Sequence, residues 1–116
     1  MAGVFQAAIE GARIVVPVVW RLEIANALAV AGRRGKNPAD DSAELLNQLR
    51  SLSIEVDTEG LDLTFTTILN LARRYQRSVY DASYLELALR LGLPLATKDE
   101  PLRKAAEELR IPLYLS

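Results

Sequence analysis

Ile14-Val15-Val16-Pro17-Val18-Val19-Trp20-Arg21-Leu22-Glu23-Ile24-Ala25-Asn26 decides how the chain folds. Ile14 to Val16 reads as a short buried strand, because β-branched residues suit a pleated sheet and Pro17 cannot donate to its ladder. From Val18 to Arg34 the apolar positions Leu22, Ala25, Leu28 and Ala31 recur every three residues, which predicts a helix that stops at Gly32 and Gly35. The same alternation continues outward. Asn37-Pro38 opens a helix with Asn37 as N-cap and Leu45, Leu46 and Leu49 as its apolar stripe. Ile54-Glu55-Val56 is a second strand, and Thr58 is placed to cap a helix over 59–76 that breaks at Arg77-Ser78-Val79. Tyr80 to Leu91 is the next helix, closed by Gly92. Pro94 to Thr97 is a third strand, 99–109 a last helix, and Pro112 to Leu115 a closing strand. Strands alternating with helices imply an α/β fold with a parallel sheet covered on both faces, since parallel neighbours need crossover connections.

The 116 residues fit a single domain, 1–116, and the 50% hydrophobic and 25% charged shares are those of a globular protein. No apolar run approaches the ~18 residues that argue for a membrane span, and the first residues lack the basic start and apolar stretch of a secretory signal. A cytoplasmic location is therefore expected, with no membrane partner. The net charge of -1 argues against a uniformly basic surface. Basic clusters at Arg33, Arg34 and Lys36 and at Arg73, Arg74 and Arg77 read equally as nucleic-acid contacts or as solvated helix ends.

The chain has no His and no Cys. That excludes Ser-His and Cys-His nucleophiles and the usual zinc sites, and leaves carboxylates to carry any catalysis. Glu23 lies in the first turns after the first strand, Asp81 begins a helix, and Asp99 follows the third strand. All three can reach the carboxyl ends of the strands, where open α/β sheets bind ligands. Carboxylates gathered there repel unless a cation joins them, and oxygen ligands suit Mg2+ or Mn2+. Each acid also has a structural reading. Ser78-x-x-Asp81 has capping-box spacing, Thr97-x-x-Glu100 matches a capping box more closely, and Glu23 can be a solvated-face residue. Trp20, Tyr75, Tyr80, Tyr84 and Tyr114 serve either for base stacking or for packing. No glycine-rich phosphate loop is present.

Taken in order, Val15-Val16-Pro17 with Glu23-Ile24-Ala25-Asn26, then Tyr80-Asp81-Ala82-Ser83-Tyr84-Leu85, then Leu95-Ala96-Thr97-Lys98-Asp99, resemble the PIN-domain nucleases, in particular the VapC-type toxins of toxin-antitoxin pairs. The resemblance implies a PIN-like three-layer α/β/α fold and a Mg2+- or Mn2+-dependent endoribonuclease. Glu23, Asp81 and Asp99 would be its metal-binding and catalytic acids, and Asn26 and Ser83 their polar support. It also implies RNA as substrate, a cognate antitoxin protein as partner, and a homodimer. The start of the chain departs from the pattern. Family members begin with a central strand carrying an aspartate, whereas the only acid here before Glu23 is Glu10, in different surroundings. The expectation is a shortened chain whose central strand is missing, repaired by closing up the remaining strands or by a swapped oligomer. The alternative function is a weak or inactive PIN-derived interaction module that self-associates or binds an antitoxin-like partner.

Overall fold

The structure is a computed structural model that describes residues 6–33 and 38–114, with the side chains of 31–42 left aside. The N-cap expected at Asn37, the basic residues Arg34 and Lys36, and Leu115 lie outside the described residues. Among the described residues, four strands and five α-helices follow one another: β1 (Ala7–Glu10), β2 (Arg13–Pro17), α1 (Val19–Arg33), α2 (Pro38–Arg50), β3 (Ile54–Asp57), α3 (Leu69–Tyr75), α4 (Val79–Leu91), β4 (Leu95–Ala96) and α5 (Glu100–Glu108). A 3-10 turn, Glu59–Leu63, and a π turn, Thr64–Ile68, lead into α3.

The sheet runs in the order β3-β2-β1-β4 and is mixed, where a wholly parallel sheet was expected. β2 and β3 are parallel, as the crossover through α1 and α2 requires. β1 is antiparallel to both of its neighbours. It fills the interior position that the sequence reading left empty. The cause is the tight connection at Gly11-Ala12: Gly11 takes a positive φ of 59°, the chain reverses, and Ala8 pairs with Val15 and Glu10 with Arg13. Because β1 runs backwards, its first residues arrive at the same edge as the ends of β2, β3 and β4. Gln6 therefore stands at the carboxyl rim, and Glu10 is carried to the opposite edge. Ala7, Ala8, Val15 and Val16 are all buried, so the two inner strands are covered on both faces.

The core centres on α4. Ala82, Tyr84, Leu85 and Ala88 pack with Ile68, Leu71 and Ala72, with Leu95, and with Leu102, Ala105 and Ala106 of α5. Leu87 and Leu93 pack beneath Ala8 and Val15. Ser78 caps α4 by accepting from the Asp81 N–H at 3.0 Å, and Gly92 ends it in the left-handed conformation. Thr58 stands before the Glu59–Leu63 turn without a side-chain cap bond, and the single helix expected over 59–76 is split into 3-10, π and α pieces. The closing strand is reduced to one parallel bridge, Leu95 to Leu113. No helix among the described residues is long and apolar enough to cross a membrane.

Candidate functional site: an acidic rim at the strand ends

α1 carries Glu23 to the rim in a half-buried position, and α4 brings Tyr84 and Asp81 to meet it. The Tyr84 hydroxyl donates to Glu23 Oε1 at 2.6 Å. Tyr84 is fully buried, and burial followed by the Glu23 contact pushes its ionisation far above the ordinary range, so it is a permanent donor. Burial, and then the neighbouring Asp81 charge, push the Glu23 carboxyl up; the Tyr84 bond opposes them without prevailing. Glu23 and Asp81 thus form a carboxylate pair. Glu23 opens on a cleft that it lines with Val19, Leu22, Asn26 and Tyr80. Asn26 shares that cleft with Glu23 because it lies one turn further along the same face of α1.

Asp81 Oδ1 accepts from Gln6 Nε2 at 3.3 Å. Gln6 is only 1% exposed, and its Oε1 accepts from the Thr97 hydroxyl at 2.8 Å. Thr97 Oγ1 in turn accepts from the Asp99 N–H at 3.1 Å. The acid on α4 is in this way connected, through the start of β1, to the backbone N–H of Asp99 after β4. Asp99 itself is the N-cap of α5, accepting from the Leu102 N–H at 3.1 Å, and it faces Arg77 at 3.7 Å. The N-cap is therefore Asp99 and not Thr97, and Glu100 is the first residue of the helix, so the capping box expected at Thr97 and Glu100 does not form. The Ser83 hydroxyl donates to the Tyr80 carbonyl, a bond within α4. Trp20 and Tyr75 pack against the core, while Tyr80 is 57% exposed.

Sequence reasoning missed two residues of this rim. Tyr84 was legible in principle, lying three residues after Asp81 on the same helix face. Gln6 offered no signal, since its place follows from the reversed strand.

The donors at the rim are all oxygens, the chemistry of a hard divalent ion. Glu23 and Asp81 fit such an ion, because their mutual repulsion is what a cation would remove and Mg2+ often binds through two carboxylates while keeping several waters. Asp99 does not join them. Among the described residues, no group of three or more His, Cys, Asp and Glu side chains is placed to hold a metal ion.

A four-stranded α/β domain with carboxylates on the rim of its sheet is the architecture of a large nuclease family. The family model described as PIN domain matches residues 2–108, nearly the whole chain, and the protein belongs to the PIN-domain family, whose members are typically nucleases that use divalent metal ions. No curated protein matches the chain.

Proposed function

We propose that the chain is a metal-dependent endoribonuclease of the VapC toxin type, hydrolysing RNA phosphodiesters at a Mg2+ or Mn2+ ion held by Glu23 and Asp81. The observation that carries this reading is Glu23 in a cleft beside the Asp81 carboxylate, with burial and then repulsion from Asp81 raising the Glu23 carboxyl. Glu23 and Asp81 would hold the ion, and the chemistry it would supply there is activation of a water and stabilisation of the leaving oxygen. The chain's own residues do the positioning. Tyr84 fixes Glu23, Gln6 fixes Asp81, Asn26 offers an amide to a phosphate or a water, and the exposed ring of Tyr80 offers a face on which a base can stack. Asp99 organises the start of α5 with its carboxylate, and its backbone N–H is joined to Asp81 through Thr97 and Gln6. The toxin role brings with it a cognate antitoxin protein and a homodimer, which the ordered motifs imply, and a cytoplasmic location; with β1 in the interior of the sheet, a swapped oligomer is no longer needed to fill it. The whole of 1–116 acts as one domain in this reading.

A second reading has its own observation. Each of the three acids already has a partner within the chain: Tyr84 for Glu23, Gln6 for Asp81, Arg77 for Asp99. That suits a weak or inactive interaction module. Cleavage of a mixed RNA by the purified chain with manganese, set beside a chelator and Asp81→Asn, separates the two. Cleavage lost in both controls supports the nuclease, and no cleavage in any lane supports the module.

A further inference from the structure

The polarity of the Gln6 side chain is fixed by its neighbours. A carboxylate can only accept, so the amide NH2 must face Asp81 and the amide oxygen must face Thr97. The Thr97 hydroxyl has to donate to that oxygen, because an amide oxygen can only accept, and its own oxygen still accepts from the Asp99 N–H. Donation runs one way along the line, from the Asp99 backbone through Thr97 and Gln6 into Asp81. The line ends at the member of the carboxylate pair that lacks the Tyr84 donor. Gln6 is 1% exposed, so bulk solvent does not compete for its amide.

We infer that Gln6 is a positioning residue that acts as a built-in substitute for a cation: its amide donor occupies Asp81, stabilises the carboxylate pair without metal, and lowers the pair's affinity for divalent ions. A metal approaching Asp81 Oδ1 must compete with a bond that is already made, at a half-buried site where such bonds are stronger than in water. Two replacements change this in different ways. Gln6→Met keeps the length and volume but removes the donor, so Asp81 is released to a cation. Gln6→Glu adds a third carboxylate at the rim, which raises the repulsion and the ligand count together.

The inference rests on Glu23 and Asp81 being the cation site, but its readout is thermal stability and needs no RNA cleavage. Tm is measured for the parent and both variants in chelator and in millimolar MnCl2 at matched ionic strength, with circular dichroism to establish that each is folded. Both variants are expected to melt lower than the parent in chelator and to gain more from manganese, by ~4 °C or more beyond the parent's own shift. Adding Asp81→Asn to Gln6→Met should abolish the extra gain. Shifts equal to the parent's in both variants would overturn the inference, and so would a larger shift in Gln6→Glu alone, since that reports added charge and not a displaced donor. If Gln6→Glu does not fold in chelator, Gln6→Met decides. A parent that never cleaves RNA while both variants show the extra shift would sink the nuclease reading and leave this one standing.

Discussion

At the scale of single residues, the rim is a set of carboxylates each answered by a donor of different strength. Glu23 is answered by a neutral phenol, which leaves burial and the Asp81 charge dominant and its carboxyl raised. The sign of the consequence follows from linkage: a folded state that holds its proton more tightly than the unfolded chain is favoured in acid, and this advantage is lost as pH rises through the raised value. Glu23→Gln keeps an oxygen for the Tyr84 hydroxyl and cannot ionise. Its Tm relative to the parent, measured in chelator, is therefore expected to improve between pH 4 and pH 7.5. A constant difference across that range would mean that Glu23 ionises in the folded protein as easily as in the unfolded one. Glu23 and Asp81 were legible as rim acids because helix position after a strand is enough to place them. Their donors were harder to see, since a phenol or amide becomes part of such a site only through contacts distant in sequence, 61 residues for Tyr84 and 75 for Gln6.

Among the elements, α4 does most of the holding, and one of its residues secures the end of β3. Arg90 donates to Glu86 Oε2 at 2.8 Å on its own helix and to Asp57 Oδ2 at 2.6 Å at the end of β3, with Glu59 at 3.3 Å on the outside. Burial alone would raise the Asp57 carboxyl. The Arg90 bond, with the Gly60 N–H at 3.0 Å, holds it below the usual range instead, so this contribution is present above about pH 4 and lost as pH falls through the lowered value. Gly60 is tight for the same reason: an added Cβ would stand 3.0 Å from Glu86 Oε1. Glu86 is almost fully buried, with 4% of its side chain exposed, and removing its cation leaves a charge without compensation. Arg90→Ala is expected to cost about 3 to 5 kcal/mol in urea unfolding; a loss under ~1 kcal/mol would mean that the cluster is hydrated like a surface pair. The helix α4 itself was readable from Ser78 and Gly92, because caps are local chemistry. β1 was not. Ala7 and Ala8 have no strand preference of their own, and the segment becomes a strand only because Val15 and Leu95 offer it partners on both sides. The same dependence on partners explains why an alternating βα pattern suggested a parallel sheet while the centre is antiparallel.

For the molecule as a whole, the surface beside the rim is unusually apolar for a chain with a net charge of -1. Leu61, Val79 and Tyr80 line one cleft together, and all three are exposed, with Phe65 one turn beyond Leu61 and 85% exposed. Contiguous apolar surface next to a functional site marks a contact face more often than it marks packing left unfinished. Tyr80 lines this cleft and also the one that holds Glu23 and Asn26. In the proposed nuclease, a second chain seated on Leu61 and Phe65 would therefore border the opening through which RNA would reach the carboxylates, so assembly and cleavage would be coupled through one tyrosine. Phe65→Glu tests this arrangement, because a side chain that is already in water should tolerate a charge with little change in Tm. Sedimentation velocity over a range of concentrations is expected to show the parent associating and Phe65→Glu shifted towards monomer. If the two sediment alike at every concentration, the face is not a self-contact. If Phe65→Glu is monomeric yet cleaves RNA as fast per chain as the parent, the partner subunit contributes nothing to the opening, and access to Glu23 and Asp81 is set by Tyr80 and Asn26 of a single chain.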